Sequence, residues 1–151
     1  MRGQKPAWAQ IGDLRVVDGD DLEWQGRRYR LDGYDAPETH NFRSRHDRRL
    51  EEKRGLKAMH RLAVLLNGAR SLHLVEVKVI ARDRVLAVAL VDGRDVASIA
   101  VEESWGVRFV RQPNGSLKGR RQNDWGDSRT PFPDDLPLPA DFSEEDDDPR
   151  N

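Results

Sequence analysis

Short apolar runs separated by tight glycine turns dominate the first part of the chain and limit what it can fold into. The runs at residues 14–17, 22–24 and 27–34 are separated by the turns Asp18-Gly19-Asp20-Asp21 and Gln25-Gly26. Connections this short predict antiparallel hairpins, and Gly19 is a residue that can take a positive φ in such a turn. In the third run Tyr29 and Leu31 share one face of the strand, so Arg30 points the other way.

The rest of the body combines a long helical pattern with two more strands. Residues 45–67 carry apolar side chains at helical spacing and end at Asn67-Gly68, a helix stop signal. Residues 71–80 and 84–91 are apolar, strand-like runs, and a shorter helix is predicted at 95–104. The order β-β-β-α-β-β-α favours an α+β, mainly β domain, and we predict a five-stranded OB-fold barrel with two or three helices.

Composition divides the chain into a basic body and an acidic end. Charged residues make up 35% of the chain, and residues 127–151 hold nine acidic but only two basic residues. Residues 1–126 therefore hold 24 basic and 18 acidic residues, a formal charge of +6. We predict an N-terminal extension at 1–12, one domain at 13–126 and a disordered, proline-rich tail at 127–151, because a block of like charge with few apolar residues disfavours folding.

The charge distribution and the residue types restrict the function. A basic body suits a polyanionic partner such as nucleic acid, although a charge-rich, solvated surface gives the same composition. The chain has no cysteine, which excludes disulfides and thiolate zinc sites. No run approaches the roughly 20 apolar residues of a membrane span, and the start does not look like a signal peptide. We expect a monomer without membrane association, located in the cytoplasm, or secreted or periplasmic if a leader has been removed.

Acidic and arginine side chains cluster within residues 18–38. Asp20 lies in the first turn, Arg30 on the third strand, and Asp35 and Glu38 on the loop after that strand. Phosphodiester hydrolysis needs a hard cation, neutralised phosphoryl oxygens and a directed water. Carboxylates from two segments, a backbone carbonyl and waters form a site for Ca²⁺ rather than for zinc. Turn carboxylates are also common as simple hairpin caps, so the spacing alone leaves both interpretations open.

Three strings resemble the signature blocks of the staphylococcal-nuclease (thermonuclease-like) family, in the same order and with matching spacing. They are VVDGDD at 16–21, YRLDGYDAPET at 29–39 and RVLAVALVDG at 84–93, within a resemblance that spans about residues 13–110. The resemblance implies an SNase-like OB-fold enzyme that uses Ca²⁺ to hydrolyse DNA, RNA or both. It also implies products with 3′-phosphate ends. We expect little sequence preference, because the predicted site recognises phosphate and metal and not base edges.

The same resemblance implies roles for individual residues. The implied Ca²⁺ ligands are Asp20, Asp35 and the backbone carbonyl of Ala36. Glu38 matches the proposed general base of the family, and Arg30 and Arg84 match the two arginines that grip the scissile phosphate. Guanidinium groups suit that task because their paired N–H donors bind phosphate oxygens bidentately.

Some positions depart from the family pattern. Asp21 stands where a threonine is common, and we expect it to face solvent rather than to bind the cation. Arg84 follows Arg82-Asp83, where the family often has a Tyr-Gly step, so the strand connection before it is shortened. Trp105 and Phe109 are able to stack on bases, but core packing is expected for both. Trp125, beside a basic run, fits either a stacking platform or packing against the barrel.

Two other functions explain part of the sequence. A catalytically inactive member of the same family would bind nucleic acid or protein, although the retained acidic and arginine residues speak against this interpretation. An unrelated OB-fold protein with an acidic tail for a protein partner explains the tail but not the cluster. The leading prediction is therefore a Ca²⁺-dependent nuclease.

Overall fold

The computed structural model describes residues 10–40, 42, 44–111, 113–114, 117–118 and 124–139. The elements in these ranges are β1 (Gln10–Ile11), β2 (Leu14–Asp18), β3 (Asp21–Trp24), β4 (Arg27–Leu31), β5 (Tyr34–Asp35), α1 (Arg48–Asn67), β6 (Leu72–Ala81), β7 (Arg84–Val91), β8 (Arg94–Asp95), α2 (Val96–Glu102), β9 (Val107–Arg108), β10 (Val110–Arg111) and β11 (Leu117–Lys118). The long elements follow the predicted order, and the fold is α+β and mainly β. Within these ranges no helix has both the length and the apolar character needed to cross a bilayer.

Most of these strands form one mixed sheet. Its order is β1-β2-β3-β4-β7-β6, with β8 paired to β7, and β4 and β7 run parallel. Among the described residues β1 and β6 are the two ends of this path, so the sheet is open. The predicted five-stranded OB-fold barrel is therefore not confirmed. Register shifts after Glu76 and after Val79 interrupt the pairing of β6 with β7, and bulges of this kind bend a strand.

The two hairpin turns use glycine for different reasons. Gln25 and Gly26 take positive φ values of 51° and 79°, which suit the twist of a tight hairpin between β3 and β4. Gly19, by contrast, does not take a positive φ. A Cβ at Gly19 would lie 2.9 Å from the Cβ of Ala58 and 3.0 Å from that of Ala36. The turn needs this glycine because it packs closely against α1.

The helix α1 packs against β1 and β2 and supplies part of the core. Asp47 caps its first turn by accepting from the N–H groups of Arg49 and Leu50 at 2.9 and 3.2 Å. The helix ends at Asn67, as predicted. Its predicted apolar face is confirmed at four buried residues, Met59, Leu62, Ala63 and Leu66.

The aromatic residues considered as stacking surfaces lie in the interior. Trp105, Phe109 and Trp125 are only 0%, 5% and 5% exposed. Core packing is therefore confirmed for the first two. Trp125 meets Phe132 edge to face, with 5.8 Å between the ring centroids, so the stacking-platform interpretation of Trp125 is wrong. Residues 119–123 of the basic run that precedes it lie outside the described residues.

Part of the predicted disordered tail at 127–151 is packed instead. Residues 127–139 continue from Trp125 in contact with α1, and Pro139 is almost fully buried. Residues 140–151 lie outside the described residues. At the other end of the chain, β1 pairs with β2 from within the predicted extension at 1–12.

A buried arginine on α1 anchors this C-terminal segment. Arg54 is 1% exposed and donates to the carbonyls of Trp125 and Asp127 at 2.9 and 3.0 Å. Its Nε lies 3.2 Å from a carboxylate oxygen of Asp134, and the Lys57 amine donates to the carbonyl of Asp134 at 2.6 Å. The segment is therefore held mainly by hydrogen bonds to backbone carbonyls, which a search for apolar runs does not reveal.

Replacing Arg54 with methionine should lower the free energy of unfolding by about 3 kcal/mol, because it leaves buried carbonyls without donors. Chemical denaturation measures this difference. Arg48→Met, on the exposed side of the same helix, is the matched control and should change stability by less than about 0.5 kcal/mol. Equal stability of the two variants would show that the segment is not anchored by Arg54.

Candidate functional site

The predicted site residues meet where the β2–β3 turn approaches the end of β4. Asp21 and Arg30 are cross-strand partners, and the N–H of Leu31 donates to the carbonyl of Asp20 at 2.9 Å. The N–H of Ala36 donates to Oδ2 of Asp20 at 3.0 Å. These bonds hold the turn that carries Asp20 against the chain that follows β5.

Arg30 joins the two carboxylates that we predicted as Ca²⁺ ligands. Its Nη1 lies 3.2 Å from Oδ1 of Asp20, and its Nη2 lies 3.3 Å from Oδ1 of Asp35. The side chains of Arg30 and Asp35 are 17% and 15% exposed, whereas that of Asp20 is 2% exposed. The group therefore opens to solvent on the side of Arg30 and Asp35. Residues that are separate in the sequence are within ion-pair distance in the structure.

Asp20 lies in an unfavourable environment for a charged carboxylate. Burial raises the pKa of Asp20 to about 8; Arg30 opposes this shift, and the charges of Asp35 and Glu38 add to it. Burial also acts against the charge of Arg30, but Asp20 and Asp35 outweigh it and hold the pKa of Arg30 above its usual range. One guanidinium shared by two carboxylates thus stays charged, whereas the buried carboxyl of Asp20 keeps its proton to a higher pH than an ordinary carboxyl does.

Glu38, the predicted base, lies on the loop after β5. Its charge contributes to the pKa shifts of both Asp20 and Arg30, so the carboxylate belongs to the same electrostatic group. Its side chain is half-buried. Unlike Arg30, which lies within β4, Glu38 is in irregular structure, and its position depends on what holds the loop.

Arg84, the second predicted arginine, lies further from the group. It begins β7, is exposed, and has Arg28 as its cross-strand partner. Arg30 pairs with Leu86, two residues along β7. Side chains two residues apart on a strand share a face. Arg84 is therefore on the same face of the sheet as Arg30, but on the neighbouring strand β7 and level with Arg28. Among the described contacts Arg84 has no ion pair with Asp20 or Asp35.

The oxygen donors of the site suit a hard cation but are not assembled as a metal cage. Two carboxylates and the backbone carbonyl of Ala36 are donors of the kind that Ca²⁺ takes. Within the described ranges no three His, Asp or Glu side chains converge so as to hold a metal ion. Burial is the main cause of the raised pKa of Asp20, and the charges of Asp35 and Glu38 add to it. A divalent cation beside these carboxylates would favour their charged forms, so the residues fit Ca²⁺ by chemistry.

For two buried acidic residues beside the site, the sequence predicted the wrong exposure or did not predict the contact that the structure shows. Asp21, expected to face solvent, is 4% exposed and pairs with Arg28. This pair was predictable, since both side chains lie on the face of the hairpin that carries Arg30. Asp18 is also 4% exposed and accepts hydrogen bonds from the N–H of Thr39, at 3.2 Å, and from its hydroxyl. No local pattern predicts that contact, because the partners are 21 residues apart.

Comparison of the sequence with models of known protein families and with curated proteins finds no match. Motifs and geometry are therefore the grounds on which a function is assigned.

Proposed function

We propose that this chain is a Ca²⁺-dependent nuclease of the staphylococcal-nuclease type, which hydrolyses phosphodiester bonds of DNA, RNA or both. The observation that carries the proposal is the Arg30 guanidinium held between Asp20 and Asp35 at 3.2 and 3.3 Å. A turn and a loop bring carboxylates to a partly exposed arginine, and Glu38 adds a third carboxylate to the same group. Convergent acidic and cationic groups are what phosphodiester hydrolysis requires.

The finer fold assignment belongs to the same proposal. We infer a partly open OB-fold built from β2, β3, β4, β7 and β6, which are neighbours in that order. An OB-fold is a five-stranded Greek-key barrel that is often only partly closed, and it binds oligonucleotides with the loop between its first two strands. In this chain that loop is the turn that carries Asp20.

The arginines would bind the scissile phosphodiester. Arg30 offers a planar fork of N–H donors, which matches two non-bridging phosphate oxygens, and a substrate phosphate would compete with Asp35 on the exposed side. Arg84 would contact the same or the adjacent phosphate from the neighbouring strand. Both guanidinium groups remain charged during the reaction and stabilise the negative charge that develops on the phosphoryl oxygens.

Glu38 would direct the attacking water. Its carboxylate takes a proton from the water as the water oxygen bonds to phosphorus and the bond to the 5′ oxygen breaks. The departing oxygen takes a proton from solvent, which leaves a 5′-hydroxyl end and a 3′-phosphate end. Asp20, Asp35 and the carbonyl of Ala36 would hold Ca²⁺, which when bound supplies positive charge beside the phosphoryl oxygens.

A second candidate is a catalytically inactive module of the same type that binds nucleic acid or protein. One observation favours it: Arg30 is already engaged by both carboxylates. A binding module would keep that ion pair permanently, whereas a nuclease must open it when substrate and cation arrive.

Incubation of plasmid DNA and of RNA with Ca²⁺ or with EGTA distinguishes the two candidates. We expect cleavage with Ca²⁺ only, and we expect Glu38→Gln to lower kcat by about 10²- to 10⁴-fold, because the amide cannot accept the proton. Glu52→Gln, an exposed change on α1, is the control and should cleave like the wild type. Cleavage that survives EGTA would contradict the mechanism, and binding without cleavage would favour the module.

A further inference from the structure

The backbone of Glu38 lies directly on α1, at a glycine. A Cβ at Gly55 would lie 2.4 Å from the carbonyl oxygen of Glu38, 2.7 Å from its carbonyl carbon and 3.1 Å from the nitrogen of Thr39. These are backbone atoms, so no side-chain rotation relieves the overlap. Only a glycine at this position of the helix allows the loop to come so close.

A buried carboxylate one turn earlier on the same face of α1 holds both ends of this loop. Glu51 is 3% exposed. Its Oε2 accepts from the N–H of Glu38 at 3.4 Å, and its Oε1 accepts from the N–H of Ser44 at 3.0 Å. Residues four apart on a helix lie one above the other, so Glu51 and Gly55 contact the loop side by side.

This contact acts on the proposed catalytic residue that lies outside the strands. Arg30 and Arg84 are on paired strands, and the turn of Asp20 is bonded to β4 and to Ala36. Glu38 lies on the loop after β5, outside the strands. Misplacement of a catalytic group by about 1 Å can cost about 10²-fold in rate, so whatever fixes the backbone of Glu38 affects catalysis.

We propose that Glu51 and Gly55 are positioning residues that fix the backbone of Glu38 and thereby the place of its carboxylate in the site. This inference rests on the proposed nuclease function. Glu51 and Gly55 do not touch the reacting atoms in this scheme. They act through Glu38, and their loss should change kcat more than the affinity for nucleic acid.

The first test compares Glu51→Gln and Gly55→Ala with the wild type. In Glu51→Gln the glutamine has only one acceptor oxygen and turns an NH₂ donor toward the second backbone N–H, so we expect kcat to fall about 10-fold. In Gly55→Ala the added Cβ displaces the loop itself, so we expect kcat to fall about 10²-fold. The dissociation constant for uncleaved nucleic acid, measured in EGTA, should change less than about 3-fold. Glu52→Gln and Gly68→Ala, where an added Cβ would meet Val64 O at an ordinary 3.4 Å, are the matched controls.

A double-mutant cycle separates positioning from general damage. If Glu51 acts through Glu38, then adding Glu51→Gln to Glu38→Gln should lower kcat by less than about 2-fold further, because the group to be positioned is already lost. An additive loss would overturn the inference. The inference would also be overturned if Glu51→Gln and Gly55→Ala both kept the wild-type kcat while Glu38→Gln remained impaired. That result would not contradict the proposed nuclease function.

Hydrogen exchange of the backbone amides tests the same contact without catalysis. In the wild type, the amides of Glu38 and Ser44 should exchange slowly, and in Glu51→Gln both should exchange at least about 10-fold faster. Unprotected amides in the folded wild type would overturn the inference even if neither variant folds. A wild type that does not cleave nucleic acid with Ca²⁺, although these amides are protected, would refute the nuclease function and with it the catalytic meaning of the contact.

Discussion

Arg30→Lys should lower kcat for nucleic acid cleavage by at least about 10²-fold, the loss typical when one preorganised donor to a developing oxyanion is removed. Arg30 reaches Asp20 and Asp35 with two different nitrogens, at 3.2 and 3.3 Å. A single ammonium group cannot span both carboxylates, nor can it present the planar fork that matches a phosphate. Steady-state cleavage of a labelled oligonucleotide with saturating Ca²⁺ measures the effect.

The control is Arg61→Lys. Arg61 also forms a two-nitrogen pair, with Glu103 at 2.7 Å for both contacts, but on α1 away from the site. The Arg61→Lys variant loses the same bidentate geometry, and its kcat for cleavage should stay within about 3-fold of the wild-type value. Equal losses in the two variants would mean that Arg30 contributes stability and not catalysis.

Asp20→Asn should remove much of the pH dependence of stability between about pH 5 and pH 8. Burial raises the pKa of Asp20 to about 8 in the folded protein, whereas the unfolded chain has the ordinary value near 3.8. The folded state therefore binds a proton that the unfolded state does not hold in this range. Stability from this group is fully present below the unfolded pKa and is lost as the pH rises through the folded pKa.

Urea denaturation in EGTA at several pH values measures this linkage. As the pH falls below 8, the free energy of unfolding of the wild type should rise by about 1.4 kcal/mol per pH unit relative to that of Asp20→Asn. Asp13→Asn, an exposed position, should show the wild-type slope. A proton and Ca²⁺ also compete for the same carboxylate, so Ca²⁺ affinity of the wild type should fall as the pH drops below 8. Parallel stability curves for the wild type and Asp20→Asn would contradict the assigned pKa.

Local patterns predicted the order of elements and the meeting of Asp20, Arg30 and Asp35. The alternation of Tyr29 and Leu31 with Arg30 determines which way Arg30 points once β4 forms, because side chains alternate across a strand. The two segments that carry the carboxylates follow strands joined by short connections. These short connections restrict the positions that the two segments can take. For these reasons the central part of the site followed from spacing, although its catalytic function stays a prediction.

Features that depend on distant partners did not follow from the sequence. The role of Gly19 is set by Ala58, 39 positions later, and not by its own φ. The placement of residues 127–139 depends on Arg54, whose partners lie 71 to 80 residues away. Charge and proline content in that segment indicate disorder when it is considered alone. Barrel closure likewise depends on the edges of β1 and β6, about which local periodicity says nothing.

A ribosome makes Arg54 long before it makes Asp134, 80 residues later. During that interval the segments of the site have been synthesised, but the carbonyls and the carboxylate that Arg54 binds in the folded protein have not, and burying such a charge unpaired is costly. We therefore expect the domain to complete its fold only after these anchoring residues emerge. Until then the half-made polypeptide would be a target for chaperones or proteases.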